Sequence, residues 1–267
     1  MTHRLILLLV LISISTVGIA QSSMKSNNTT LKGLVYNKES TFDLTLHTTG
    51  IGVAFGANFG TIKTYYKTSY YHIQIGELRH MKSNRTSPET GGIISGQSTR
   101  SFFFGKQNSL YVIRAGKGIK RYLSEKAKDK GLAIGFSYEG GLTLGLMKPY
   151  YLELVYVEDG SVNDVKSEKY SDENANVFLN NSRIYGASGI TKGLTEIRPV
   201  PGVHFKIGAH FDWGAFDEMV KAVEAGVMID VFYKKIPLMV ENDMITNAEN
   251  RPFFVNLYLT LQLGKRR

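Results

Sequence analysis

Apolar and polar positions alternate with a period of two along most of this chain, most clearly from Leu132 to Leu146. There Leu132, Ile134, Phe136, Tyr138, Leu142, Leu144 and Leu146 fall on one face, against Ala133, Gly135, Ser137, Glu139, Gly141, Thr143 and Gly145 on the other, the signature of an extended strand with two unlike sides. Val203, Phe205, Ile207, Ala209, Phe211 and Trp213 repeat the pattern, opposed by His204, Lys206, Gly208, His210 and Asp212. So do Val223 to Val231, opposed by Glu224, Gly226, Met228 and Asp230, and Phe253 to Leu263, opposed by Phe254, Asn256, Tyr258, Thr260 and Gln262.

Clear strands are predicted near 64–79, 108–123, 131–154, 201–214, 220–234 and 252–264. Between Thr41 and Phe59 the parity switches, with Phe42, Leu44 and Leu46 even and Ile51, Val53, Phe55, Ala57 and Phe59 odd. A hairpin around Thr48-Thr49-Gly50 accounts for the switch and raises the count to eight. The links then sort by length: Gly60–Lys63, Ser124–Lys130 and Gly214–Met219 are short, whereas those near 80–107, 155–200 and 235–251 are long. Short turns on one rim and long loops on the other are what a transmembrane barrel with both termini in the periplasm requires.

The small face, rich in Gly, Ala and Ser with sparse ionisable groups, suits a crowded lumen, and the apolar face suits lipid. Runs of roughly ten to fifteen residues also exceed the ~5–6 usual in soluble sheets. The expected fold is therefore all-β, a closed antiparallel eight-stranded transmembrane β-barrel over residues 40–267, preceded by a lead segment over 21–39.

Residues 1–20 read as a cleaved secretory signal, with His3 and Arg4 ahead of the apolar run Leu5–Ile12 and small residues at Gly18 and Ala20. No later segment offers the ~18–20 consecutive apolar residues of a spanning helix. With no cysteine, position 21 cannot carry a lipoprotein anchor, and neither disulfides nor thiolate metal sites are available. The 14 Phe and 15 Tyr against a single Trp suit aromatic girdles, to which Tyr65, Tyr66, Tyr70, Tyr71, Tyr150 and Tyr151 are assigned.

In these features the chain resembles the small outer-membrane barrels of Bacteroidota known as uncharacterised outer-membrane β-barrel proteins. The resemblance spans Thr41–Arg267 and is carried by HTTGIGVAFG, NSLYVIRAGKG, GGLTLGLMKPYYLEL and the closing FFVNLYLTLQLGKRR. It implies a barrel in the outer membrane of a Gram-negative cell and brings no biochemical activity with it. The LGKRR ending departs from the terminal aromatic residue of the general bacterial pattern.

Candidate chemistry is concentrated inside. Glu139, His204, Lys206, His210, Asp212, Glu224 and Asp230 are expected to face the lumen, where desolvated charges must pair. Read structurally they form a plug of salt bridges that leaves no open channel; read functionally they form a proton-conducting or ligand-polarising site, or the His–acid pair of a lipid-modifying enzyme. For such an enzyme His204, nearer the outer end, is the better base, but no serine has a matching spacing.

The formal net charge of +9 is unevenly spread. Lys117, Lys120, Arg121, Lys126, Lys128 and Lys130 are expected to form a basic periplasmic rim, joined by Lys265, Arg266 and Arg267, that attracts anionic headgroups or an acidic partner. Lys82, Arg85, Arg100 and Lys106, with His80, make the 80–107 loop basic and able to meet lipopolysaccharide phosphates. Glu158, Asp159, Asp164, Glu168, Asp172 and Glu173 form an acidic stretch without the spacing of a calcium loop, read as a mobile surface. No cofactor motif or metal-ligand set is expected, and nucleic acid is not a partner expected of an exported barrel. The functional expectation is a structural or interaction component of the envelope that contacts outer-membrane lipids, lipopolysaccharide and other envelope proteins. A lipid-modifying enzyme (a lipid A or phospholipid acyl hydrolase) is the alternative, and a narrow pore or small-solute transporter comes third.

Overall fold

The structure, a computed structural model, describes residues 36–48, 52–80, 83, 85–87, 100–123, 131–158, 161–214, 217–241 and 249–267. Its elements run β1 (Lys38–His47), β2 (Gly52–Thr64), β3 (Lys67–Leu78), β4 (Arg85–Thr86), β5 (Phe102–Phe103), β6 (Asn108–Tyr122), β7 (Ala133–Pro149), β8 (Tyr151–Glu158), β9 (Ser161–Lys169), α1 (Ala175–Phe178), β10 (Ile184–Ala187), β11 (Arg198–Asp212), β12 (Met219–Phe232) and β13 (Phe253–Arg266). Eight of them close an antiparallel barrel in the order β1-β13-β12-β11-β7-β6-β3-β2, with β2 pairing back to β1. The closing seam of β1 against β13 runs from Glu39 opposite Arg266 to His47 opposite Tyr258. Among the described residues no helix is long and apolar enough to cross a membrane.

The alternation separates two environments. Phe42, Phe55, Ile75, Leu142, Val203, Leu257 and Leu263 stand exposed on the outer wall, while the intervening side chains are buried inside. In water this wall would be a penalty, since soluble monomers rarely expose contiguous apolar patches beyond a few hundred Å². The parity switch between β1 and β2 resolves as the expected hairpin, although Thr49, Gly50 and Ile51 lie outside the described residues. Residues 1–35, and so the proposed signal and most of the lead segment, lie outside them too. Lys38 and Glu39, assigned to the lead segment, belong to β1.

Several boundaries move. β2 continues through Thr64 by a bulge after Ile62, so the turn falls at Tyr65-Tyr66 rather than Gly60–Lys63. This register sends Tyr70 into the lumen, 3 % exposed, and leaves Tyr71 on the outer wall, which corrects the girdle assignment of Tyr70. The strand expected over 131–154 ends at Pro149, which has no N–H to continue a ladder. Tyr150 then donates its backbone N–H to the Gln107 carbonyl (3.0 Å), and the chain enters a separate sheet of order β10-β8-β9.

That sheet has its own core of Leu152, Leu154, Phe178 and Ile184, joined by Phe102 and Val240 from two other loops. The described residues of the acidic stretch, read as a mobile surface, thus belong to a folded unit. Glu168 accepts hydrogen bonds from Tyr156 and Asn174, and Asp164 stands 3.6 Å from Lys166. Asp172 and Glu173 follow in the exposed turn before α1, and Asp159 lies outside the described residues. Among the described residues no group of three or more metal-ligating side chains occurs. The link after β12 also folds back: Ile236 and Leu238 enter the barrel mouth and pack on Leu78, Leu110, Met147 and Phe232.

Candidate functional site: the barrel interior and its outer rim

Each inward side chain is fixed by strand parity, and the barrel is narrow enough for residues on distant strands to meet across it. An eight-stranded barrel leaves an interior just wide enough for its own side chains. Glycine on the wall makes room for the tyrosines: a Cβ at Gly118 would lie 2.3 Å from the Tyr70 ring, and one at Gly208 would lie 2.3 Å from the Tyr258 hydroxyl.

The polar groups form three connected layers. At the end near the termini, Glu39 accepts from Lys120 (3.0 Å) and Arg266 (2.9 Å), and Arg266 also binds Asp212 (2.7 Å), which accepts from Tyr122 (2.8 Å). In the middle, Glu139 meets His72 (2.8 Å), His204 (3.2 Å) and the Tyr70 hydroxyl (3.2 Å). The His72 Nε2 is 3.2 Å from Asp43, close enough for charge pairing though outside hydrogen-bond alignment. Beside it Glu224 pairs with Lys206 (3.1 Å), accepts from Tyr258 (2.8 Å) and meets His210 (3.3 Å).

Toward the outer end, Arg114 grips both oxygens of Asp230 at 2.8 and 2.9 Å and donates to Gln74 at 2.8 Å. His204 meets Thr143 there at 3.0 Å. The His47 ring and the Asn256 amide, also buried, have no hydrogen-bond partner among the described residues. Above this layer Leu110, Val112, Phe232 and Ile236 pack together in an apolar cluster at the mouth. Among the described residues six carboxylates (Glu39, Asp43, Glu139, Asp212, Glu224, Asp230) thus share the interior with four permanent cations (Arg114, Lys120, Lys206, Arg266) and four histidines.

All seven residues anticipated for the interior lie there, buried: Glu139, His204, Lys206, His210 and Glu224 in the middle layer, Asp212 in the layer toward the termini and Asp230 in the layer toward the outer mouth. Glu39, Asp43, His47, His72, Arg114, Lys120 and Arg266 were not anticipated, so the expectation of sparse ionisable groups is corrected. Their signal was the parity of β1, β3, β6 and β13. Lys120 and Arg266, read as parts of a basic periplasmic rim, are instead 1 % and 4 % exposed inside the barrel, because even positions of β6 and β13 face inward. Lys117 and Arg121 stand on the outer wall, and Lys126, Lys128 and Lys130 lie outside the described residues. Ser137, the mid-strand serine, hydrogen-bonds to neither His204 nor His210, whose partners are Glu139 and Thr143 in one case and Glu224 in the other.

On the outer rim, Arg85 and Arg100 are exposed, Lys106 is buried and Lys82 lies outside the described residues. Lys106 packs over the rings of Phe103 (4.8 Å) and Tyr150 (5.2 Å) and stands 3.6 Å from Glu77. Burial lowers its pKa below the ordinary lysine value; Glu77 opposes the shift, and the neighbouring Arg79 and Lys148 add to it.

No protein-family model matches the chain, and no curated protein matches it. Among solved structures it is similar to Ail, the attachment invasion locus protein of Yersinia pestis, in complex with the heparin analogue sucrose octasulfate: 7 % identity over 87 % of this chain and 99 % of that one, with a TM-score of 0.38. It is also similar to Neisserial surface protein A, at 6 % identity over 86 % of this chain and 95 % of that one, with a TM-score of 0.35.

Proposed function

We propose that this protein is an integral barrel of the bacterial outer membrane that acts in the envelope by contact rather than by conduction or catalysis. One observation carries the reading: a continuous apolar outer wall encloses an interior whose charges are consumed by one another. Hydrocarbon is the solvent that suits such a wall. The ion pairs inside, Arg114–Asp230 and Lys206–Glu224 among them, and the packing of Phe232, Leu110 and Ile236 at the mouth support a filled lumen over an open channel. In this reading residues 1–20 direct export, and contacts with surface glycolipids and envelope proteins are made through the folded outer loops.

Two measurements test it. The mature chain should remain with outer-membrane vesicles after alkaline extraction and require detergent for solubility. Reconstituted in planar bilayers, it should give no discrete conductance steps. Recovery in the aqueous phase would sink the membrane reading, and regular unitary steps would replace the contact role by a pore.

A further inference from the structure

Where β3, β6 and β7 leave the apolar band, their outward faces change character in step. On β3, Ile73 and Ile75 give way to Glu77 and then Arg79; on β7, Leu144 and Leu146 give way to Lys148. The register aligns the change: Ile75 pairs with Ile113, Glu77 with Tyr111, and Ser109 with Lys148. Two residues along a strand is a rise of roughly 7 Å. The basic groups therefore begin about one such step above the last apolar ring, at the depth of lipid headgroups.

Against this part of the wall the outer loops build a cleft of about 650 Å³. Six cations line it: Arg79, Arg85, Arg100, Lys106, Lys148 and Lys192. Among the described residues the single carboxylate on its wall, Glu77, is already shared between Arg79 (2.7 Å) and Lys106 (3.6 Å). Among the described residues Arg85, Arg100, Lys148 and Lys192 have no carboxylate partner, and Lys148 donates to the Ile190 carbonyl. The rings of Phe103, Tyr111, Tyr150 and Tyr151 complete the lining. Guanidinium groups gathered around a concave surface are suited to the paired oxygens of a phosphate, and a cleft of this size encloses a small headgroup rather than a polymer.

We infer that this lateral cleft binds the phosphorylated headgroup of an outer-leaflet lipid, with its acyl chains lying on the apolar wall below, along Ile75, Ile113 and Leu144. The inference rests on the membrane reading above. It assigns to the lipid both halves of the surface, cationic above and apolar below, which a soluble anion would use only in part.

The barrel in neutral detergent micelles can be titrated with bis-phosphorylated lipid A, with the same lipid after dephosphorylation, and with inositol hexakisphosphate as a soluble polyanion. The phosphorylated lipid should bind at least tenfold more tightly than either. Replacing the exposed cations (Arg85→Glu, Arg100→Glu and Lys192→Glu together) should abolish that preference. An equal charge reversal elsewhere on the outer loops (Lys166→Glu, Lys234→Glu and Lys235→Glu, all exposed) should leave it intact. Equal affinity for the dephosphorylated lipid, or the same loss in both variants, would overturn the inference. Binding of the soluble polyanion as tight as that of the lipid would also overturn it, by assigning the cleft to a free ligand. Flotation of the wild-type protein with purely zwitterionic vesicles separates the two readings: if it floats yet shows no phosphate preference only the cleft is lost, whereas failure to float removes the membrane reading.

Discussion

Arg114 on β6 and Asp230 on β12 join through two parallel hydrogen bonds of 2.8 and 2.9 Å, with β7 and β11 lying between their strands along the barrel wall. Both side chains are at most 1 % exposed, so neither charge has water to fall back on. Truncating one partner of such a pair leaves the other uncompensated, at a cost of about 3–5 kcal/mol, whereas replacing both by apolar groups is often neutral. We expect Arg114→Met to lower stability by about that amount, and the double variant Arg114→Met/Asp230→Leu to recover most of it. Urea unfolding in lipid vesicles, followed through Trp213, the only tryptophan, measures both. Equal losses in the single and double variants would show that the pair is not the unit of stability.

Much of this interior was readable from alternation alone. The parity of β11 and β12 is clean, so His204, Lys206, His210, Glu224 and Asp230 declare their side at once. β1 has the same regularity: Glu39, Asp43 and His47 oppose Phe42, Leu44 and Leu46, so the same alternation carries their inward placement. β6 is harder because Lys117, Lys120 and Arg121 place cations on both faces near one end, and composition suggested a rim where register sends Lys120 inward. The small β8-β9-β10 sheet was hidden for another reason. Apolar residues continue past Pro149 without a break in pattern, and only the missing N–H marks where the barrel strand stops.

Tyr70 reaches Glu139 because nothing but hydrogen projects from Gly118. A branched side chain there would overlap a rigid ring rather than a flexible end, and the strand pairing on both sides prevents β6 from backing away. Gly118→Val should therefore destabilise the barrel by about 1–3 kcal/mol or more. Adding Tyr70→Ala should relieve the overlap and return part of that loss. Heat modifiability on gels, compared across the two variants, reads the order of stabilities; a double variant weaker than Gly118→Val by the full effect of Tyr70→Ala would refute the coupling.

His204 is the histidine best placed for chemistry at the outer leaflet, yet it faces the interior and is bound to Glu139 and Thr143. We expect His204→Ala to leave the lipid A profile of the cell unchanged in mass spectrometry while lowering barrel stability by roughly 1–3 kcal/mol, the cost of stripping a partner from a buried acceptor. A changed acylation pattern with stability preserved would turn the reading toward an enzyme.

Outside the membrane band, the β8-β9-β10 sheet is tied to the turn at Leu194–Glu196 by Glu196, which accepts from both Lys169 and Tyr151. Those bonds, that from Lys169 foremost, hold the Glu196 carboxyl below its ordinary value of 4.5. A depressed folded-state pKa means that the contact's contribution is complete above the unfolded value and is lost as pH falls through the folded one. Hydrogen exchange around Tyr151 and Lys169, corrected for intrinsic rates, should therefore be unchanged between pH 7 and 5 and accelerate only in stronger acid. Glu196→Gln should bring the accelerated exchange to neutral pH while leaving the barrel strands protected. Identical protection in the two proteins at pH 7 would mean that the sheet is held by its apolar core, Leu152, Leu154, Phe178 and Ile184, without help from this contact.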